Sequence, residues 1–311
     1  MSRRIAQRQG QDRSPYHRSL ASRNPAQASP APPVSVCIPV RDEERNLRSC
    51  IASVASFSEV VVVDSRSADA TASIAEQANA RVVQFDWDGR FPKKRNWILR
   101  NYQFRNPWIL FLDADERVTP EFVTEIRQLL PTTSHCGFWI SFVNHFLGAK
   151  LRHGDTFRKL ALFRIGTGEY ETFPEESWSD LDMEVHEHPI VRGTVGTIRA
   201  RLEHCDQKGI KAYIRRHRQY ASWEARRYLW LTDADPAAWQ VLNKRQQFKY
   251  RHLNRAWLPY CYFLLQFIVK RGFLDGHAGR LFAVLKFRYL QDIRRKIRRL
   301  GAAGYGERSA G

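Results

Sequence analysis

The sequence predicts an α/β fold: an open, mostly parallel sheet flanked by helices, with a basic α-helical extension at the C-terminal end. Three observations carry this. Apolar runs of strand length alternate with helical periodicity four times between residues 34 and 131, through short connections. From Lys208 onward the pattern is helical. Charge divides at the same place: residues 204–311 hold 23 Lys and Arg against 7 Asp and Glu, a net +16, while residues 34–203 are close to neutral.

Residues 1–33 are rich in Arg, Gln, Ser, Ala and Pro, carry a net +5 and show almost no apolar periodicity, so they read as a disordered basic arm. VSVCIPV (34–40) is a continuous apolar run, the mark of a strand buried on both faces. Leu47, Cys50, Ile51 and Val54 then fall on one helix face. EVVVVD (59–64) is a second buried strand, residues 67–80 a helix with Ser67 or Asp69 as its cap, and RVVQFDW (81–87) a third strand. Residues 91–102 read as a helix. PWILFLDADE (107–116) reads as a fourth strand ending in acids, and Thr119-Pro120 opens the next helix with Thr119 as cap. Residues 137–148, 159–166, 185–191 and 196–206 are strand-like. Beyond Lys208 helices are expected over 236–252, 256–270 and 278–299, besides one carrying Ile210, Tyr213, Ile214, His217 and Ala221 on a single face.

Composition narrows the function. The chain has 311 residues, 43% of them apolar, and nine Trp, which excludes a wholly disordered protein. No run approaches the ~18–20 apolar residues of an ordinary membrane span. The opening MSRRIAQRQG lacks the apolar core of a secretory signal. Five scattered cysteines without a CxxC pair speak against a disulfide framework or a cysteine-rich zinc site and fit a reducing compartment. The net charge of +18 calls for an anionic partner: nucleic acid, a membrane surface or a phosphorylated substrate.

In open parallel sheets ligands bind beyond the carboxyl ends of the strands. Asp113-Ala-Asp115 lies there. On an extended chain two such carboxylates point the same way, about 7 Å apart, and can share a hard cation, Mg²⁺ or Mn²⁺, that also takes phosphate oxygens. Asp64 ends the second strand, where an acid can accept from a base or ribose; Asp69 either joins it or only caps a helix. Lys93, Lys94 and Arg95 sit at the positive start of a helix, an arrangement suited to a diphosphate. Neither GxGxxG nor a P-loop is present.

Taken together, IPVRDEE, VDSRSADAT, Lys94-Arg95-Asn96 and FLDADE resemble the family 2 inverting glycosyltransferases of GT-A (Rossmann-like) fold, over roughly residues 34–205. Arg41-Asp42-Glu43 stands where that family usually has Tyr-Asn-Glu, and Asp64-Ser65-Arg66-Ser67 where it has Asp-Asp-Gly-Ser. The segment Arg271–His277 with the basic helix after it resembles the branch that adds β-linked glucose to lipopolysaccharide core. The resemblance implies a nucleotide-sugar donor, UDP-glucose by default, and a saccharide acceptor. It implies that Asp64 and Ser65 contact the nucleoside, that Pro39, Val40 and Glu44 shape its pocket, and that Lys93, Arg95 and Asn96 approach the diphosphate. Asp113 and Asp115 would hold metal and ribose, and His204 would complete the cation site. Glu187, in Val185-His-Glu-His188, is the candidate general base; His186 and His188 are either structural or ligands.

The expected division is a basic arm (1–33), a catalytic domain (34–205) and a basic helical docking extension (206–311). Within the last, Trp257–Val269 is apolar, aromatic and too short to span a bilayer, beside many cations. That combination predicts peripheral binding to the cytoplasmic leaflet and a lipid-anchored acceptor, the alternative being that 257–269 packs under the catalytic domain. Absence of a Gln-x-x-Arg-Trp motif favours transfer of a single sugar over polymerisation. A basic nucleic-acid-binding protein and an inactive GT-A binding module are the rival readings; the first lacks any zinc, KH or RRM signature, so no nucleic acid partner is expected.

Overall fold

A computed structural model describes residues 30–172, 179, 181–184, 188–234, 236–240 and 242–302. The unit it depicts begins at Ala31; most of the predicted basic arm lies outside the described residues.

In chain order the elements are β1 (Val34–Val40), α1 (Glu44–Ser53), β2 (Glu59–Asp64), α2 (Thr71–Gln77), β3 (Arg81–Gln84), α3 (Lys94–Asn101), β4 (Trp108–Phe111), β5 (Glu116–Arg117) and α4 (Pro120–Leu129). They continue as β6 (Gly137–Phe146), β7 (Ala149–Lys150), β8 (Phe157–Arg164), β9 (Gly168–Tyr170), β10 (Pro189–Val191), β11 (Val195–Thr197) and β12 (Leu202–Cys205). The remainder is helical: α5 (Gly209–Asp233), α6 (Pro236–Gln240), α7 (Lys244–His252), α8 (Leu258–Leu264) continuing as a π turn Leu265–Val269, a 3₁₀ turn Gly272–Asp275, and α9 (Gly276–Ala302).

Among the described residues one ten-stranded sheet runs β3-β2-β1-β4-β8-β6-β12-β5, with β7 and β11 also on β6. The β3-β2-β1-β4 half is parallel, β8 reverses, and β12 is parallel to β6. This is the GT-A type of architecture expected: a mixed, largely parallel sheet between helices.

Every residue of β1 is buried, and its alternation explains why. Val34, Val36, Ile38 and Val40 pack with Leu47 and Ile51 of α1 and Phe122 and Ile126 of α4, while Cys37 points to the opposite layer with Ile98 of α3. A strand clad on both faces has no need of polar alternation. Thr119 caps α4 as predicted, its hydroxyl accepting from the Phe122 N–H at 3.3 Å.

Several boundaries depart from the sequence expectation, the third strand ending at Gln84 and the strand expected over 196–206 being two, and three of the departures have a clear local reason. The fourth strand stops at Phe111, not at the acids: Leu112 makes the last ladder bond, to the Cys37 carbonyl (3.0 Å), and Asp113–Glu116 fold into a turn closed by the Glu116 N–H on the Asp113 carbonyl (2.9 Å). The helix expected over 236–252 is two, because Asn243 and Gln246 form a capping box that starts α7 afresh. The helix expected over 67–80 is shorter: Ser67 and Asp69 are held by loop contacts and regular winding begins at Thr71.

Candidate active site

The parallel strands deliver their carboxyl ends to one edge. Pro39 and Val40 end β1 in register with Val63 and Asp64 of β2. Asp64 is buried, and its carboxylate accepts from the Ser67 N–H (3.2 Å) and the Gln84 amide (3.2 Å). Ser65 is also buried and donates its N–H to the Val40 carbonyl (3.2 Å). The two loops are laced together. Asp42 accepts from the Ala68 N–H (2.8 Å), Glu44 from the Ala70 N–H (3.3 Å), and Asp69 from the Thr71 N–H (3.0 Å) and the Glu44 N–H (3.2 Å). Asp69 thus does capping work, and Glu44 is exposed at the rim of the pocket.

At the start of α3 the cations are buried rather than solvated. Lys94 donates to the Val40 carbonyl (2.7 Å) and pairs with Asp182 (3.1 Å); burial, against Asp182, lowers its pKa. The helix N-terminus already holds an anion: the Glu184 carboxylate accepts from the N–H groups of Arg95 (2.9 Å) and Asn96 (3.0 Å). Asn96 clips the Tyr170 backbone, donating to its carbonyl (2.9 Å) and accepting from its N–H (2.8 Å). The Arg95 guanidinium reaches past the Tyr170 ring (5.1 Å to its centroid) to Asp113 (2.5 Å). Lys93 is buried beside them.

The turn Asp113–Glu116 separates the two aspartates that an extended strand would have aligned. Asp113 is gripped by Arg95 and Lys159, and Lys159 also holds Glu116. Burial raises the Asp113 carboxyl, but those two cations outweigh it and the net shift is downward. Glu116 is fully buried, and burial, with Asp113 and Asp115 nearby, pushes its carboxyl well above the usual range. Asp115 instead faces His204, 3.3 Å from Oδ2 to Nε2. Burial works against both charges, yet each sustains the other: Asp115 lies well below the ordinary aspartate range and His204 above the ordinary imidazole. They meet because β5, directly after Asp115, pairs with β12 in a register that sets Glu116 opposite His204.

These donors fit a divalent cation. Asp115 offers an ionised carboxylate suited to Mn²⁺ or Mg²⁺, and His204, once deprotonated, an imidazole beside it that suits Mn²⁺ better than the oxygen-preferring Mg²⁺. Asp113 meets its charge balance in Arg95 and Lys159. Those two cations are in turn paired with Asp113 and Glu116, while Asp115 with His204 is where a cation can be held. A different trio, His145, Glu203 and Cys205, has ligand atoms within 4.8 Å of one another. It belongs to the opposite face of β12, and there Lys150 (3.4 Å to Glu203) supplies the cation.

Glu187 and His186 lie outside the described residues; the His188 carbonyl accepts from the Glu171 N–H (3.0 Å). Lys159 and Arg216 were not singled out from sequence; Glu116 stood out only as the last of the strand-end acids, and Glu184 only as a substitute for Glu187 as base. Arg216 of α5 pairs with Asp206 (2.6 Å), and burial, which lowers its pKa, is outweighed by Asp115 and other neighbours. Lys159 had a faint signal, a lysine directly before the apolar run LALF (160–163); Arg216 is one charge among many in its segment.

Comparison with known proteins places this geometry. Residues 35–178 match the family model described as Glycosyl transferase family 2. Over that segment, somewhat under half of the chain, it is similar to family 2 glycosyltransferases, and the chain resembles an enzyme of lipopolysaccharide core assembly. The lipopolysaccharide core biosynthesis glycosyltransferase LpsC of Rhizobium meliloti is 29% identical over 178 residues, 55% of this chain and 62% of that protein. A TPR repeat-containing protein of Synechococcus elongatus is 38% identical over 108 residues, 34% of this chain and 26% of its own length. An uncharacterized glycosyltransferase of Rickettsia felis is 36% identical over 97 residues, 31% of this chain and 33% of that one. The chain therefore spans between a quarter and somewhat under two thirds of these relatives. Glucosyl-3-phosphoglycerate synthase of Mycobacterium tuberculosis, solved with Mn²⁺, UDP and glucosyl-3-phosphoglycerate, shares 26% identity over 37% of this chain and 44% of that one, at a TM-score of 0.29.

Proposed function

We propose that the chain transfers one sugar from a nucleotide-sugar, UDP-glucose by default, with inversion, onto a lipid-linked or lipopolysaccharide-core saccharide at the inner face of the cell membrane. The observation that carries this is the Asp115–His204 pair just beyond a strand's carboxyl end, with Asp64 at the carboxyl end of β2, inside or next to a segment similar to family 2. In this reading residues 34–205 are the catalytic part, 206–311 the docking part and 1–33 a basic arm.

Asp64 accepts from the nucleoside at the end of β2, between the Pro39-Val40 strand end and Ser65, with Glu44 at the rim. Arg95 and Lys93 set the positive wall for the diphosphate, Arg95 being oriented by Asp113 and by Glu184; Asn96, expected to approach the diphosphate, is buried and its amide is spent on the Tyr170 backbone, so its part is to hold that wall in place. Asp115 and His204 would hold a divalent cation, which would supply positive charge for the departing diphosphate. Glu187 takes the proton from the acceptor hydroxyl, whose oxygen bonds the anomeric carbon from the side opposite the leaving group. The carbon–oxygen bond to the diphosphate breaks and the configuration inverts.

The test is a panel of sugar nucleotides with and without Mn²⁺, scored by release of nucleoside diphosphate. Wild-type protein should hydrolyse or transfer one donor only with the cation, and Asp115→Ala should abolish this. Full activity in excess EDTA refutes the cation reading. No turnover of any donor, together with strong salt-dependent binding to unrelated DNA, replaces the transferase reading with the nucleic-acid one.

A further inference from the structure

We propose that the outward face of α8 and of the π and 3₁₀ turns after it inserts into the interfacial layer of an anionic lipid bilayer. That this brings the catalytic edge to a lipid-anchored acceptor rests on the function proposed above; the insertion itself does not.

The segment Leu258–Val269 is apolar on both sides. Its inner side packs on α9, with Phe263 against Phe287 (6.1 Å between ring centroids) and Pro259 buried. Its outer side is bare: Tyr260, Leu264, Ile268 and Val269 are 57, 50, 53 and 69% exposed, and Phe273 and Leu274 continue the patch at 48 and 54%. A helix that is apolar all round is one that is covered all round. Nothing in the described chain covers this side, and an apolar patch of this kind marks an interaction surface.

Charge and length identify the occupant. Between residues 236 and 291 there are ten Lys and Arg and a single acid, Asp275. Asp275 is turned inward, accepting from the N–H groups of Arg152 (3.0 Å) and His153 (2.9 Å). The exposed charges bordering the patch, Arg255, Lys270, Arg271 and Arg280, are therefore of one sign. A second copy docked face to face would set this cationic rim against itself; an anionic surface complements it. Leu258–Val269 is about 18 Å long as a helix, well short of the ~30 Å hydrocarbon core. Among the described residues no helix is long and apolar enough to cross a membrane. Such a segment lies in the plane of the interface, with Trp257 and Tyr260 at the headgroup level their rings favour.

The experiment uses the full chain and vesicles of phosphatidylcholine alone or mixed equally with phosphatidylglycerol, read by co-sedimentation. Wild-type protein should bind the mixed vesicles, bind pure phosphatidylcholine far more weakly, and lose affinity as salt rises. The double substitution Ile268→Asp, Val269→Asp should weaken binding to mixed vesicles at least about tenfold. Arg255→Gln with Lys270→Gln should weaken it about fivefold per cation removed; this pair keeps the proposal testable should the first variant unfold. Equal binding to both vesicle types, binding to neither, or undiminished binding of both variants overturns the proposal. So does a wild-type dimer, seen by sedimentation equilibrium, that the first variant abolishes without any vesicle binding. Nucleoside diphosphate release by the same variants, measured without vesicles, should match wild type. A protein that binds vesicles but turns over no sugar nucleotide would overturn the transferase reading and leave the insertion standing.

Discussion

His204 and Asp115 are the pair on which the chemistry of the site turns, and their coupling has a measurable sign. Burial lowers the His204 pKa, but Asp115 outweighs burial and holds the imidazole protonated further up the pH scale than a free one. In the metal-free protein the His204 contribution to stability is thus fully present below about pH 6.5 and is lost as pH rises through the folded value; the Asp115 contribution fails only in strong acid. A cation bound between them must displace the imidazole proton. Mn²⁺ affinity should therefore rise with pH, about tenfold per unit where one proton is released, and level off above the His204 pKa. His204→Gln should flatten that dependence and weaken Mn²⁺ by at least about tenfold. Calorimetric titration from pH 6 to 8.5 checks this, and a flat wild-type profile would remove His204 from the cation site. That Asp64, Asp113 and Asp115 stand at or just beyond strand ends was legible from the apolar runs before them, whereas His204 came only with the family resemblance. Their partners were not legible: Lys159 stood out only faintly until β8 set it between Asp113 and Glu116.

At the scale of elements, the corner between the π turn and α9 is built on close backbone approach. A Cβ on Gly279 would stand 2.3 Å from the Gly272 carbonyl oxygen and 2.7 Å from the Asp275 Cβ, and one on Gly272 would stand 2.8 Å from the Gln266 carbonyl oxygen. These contacts are with backbone or its first carbon, which cannot swing aside. Gly279→Ala should force the 3₁₀ turn off α9 and cost about 1–3 kcal/mol, lowering Tm by roughly 2–4 °C for each kcal/mol. Gly301→Ala in the same helix is the control, since its Cβ would meet only Leu229 at 3.8 Å. Equal Tm values for the two variants would show that the corner yields. The motif around Arg271–His277 was visible in the sequence as a motif; that its glycines serve packing emerges only when α9 lies across the turn.

On the scale of the whole molecule, the helical extension is not a loose appendage. Phe146 and Leu151 share an apolar cluster with Ala278 and Leu285 of α9 and Ile210 and Tyr213 of α5. Lys208 pairs with Glu43 (2.7 Å) and Arg227 with Glu171 (3.0 Å), so the extension touches the loop after β1 and the chain after β9. A chain ending at Cys205 loses all of these. We expect it to unfold at a lower temperature than the full chain or to aggregate, as read by scanning fluorimetry and light scattering. A fragment ending at Cys205 with the stability of the full chain would establish residues 34–205 as an independent domain.

The sequence by itself determined the strands β1 and β2 to the residue, the cap of α4, the alternation that makes the sheet parallel, the strand-end acids and the charge divide near residue 204. All of these are local: they follow from side-chain pattern within a dozen residues or from simple counting. Tertiary structure decided the rest. The turn that sends Asp113 toward Lys159 and Asp115 toward His204, the Glu184 carboxylate seated on the N-terminus of α3, and the bare outer side of α8 each join residues far apart in the chain. Periodicity says that a face is apolar. Only the packing of α9 against one side of that helix shows which face is left for something else to cover.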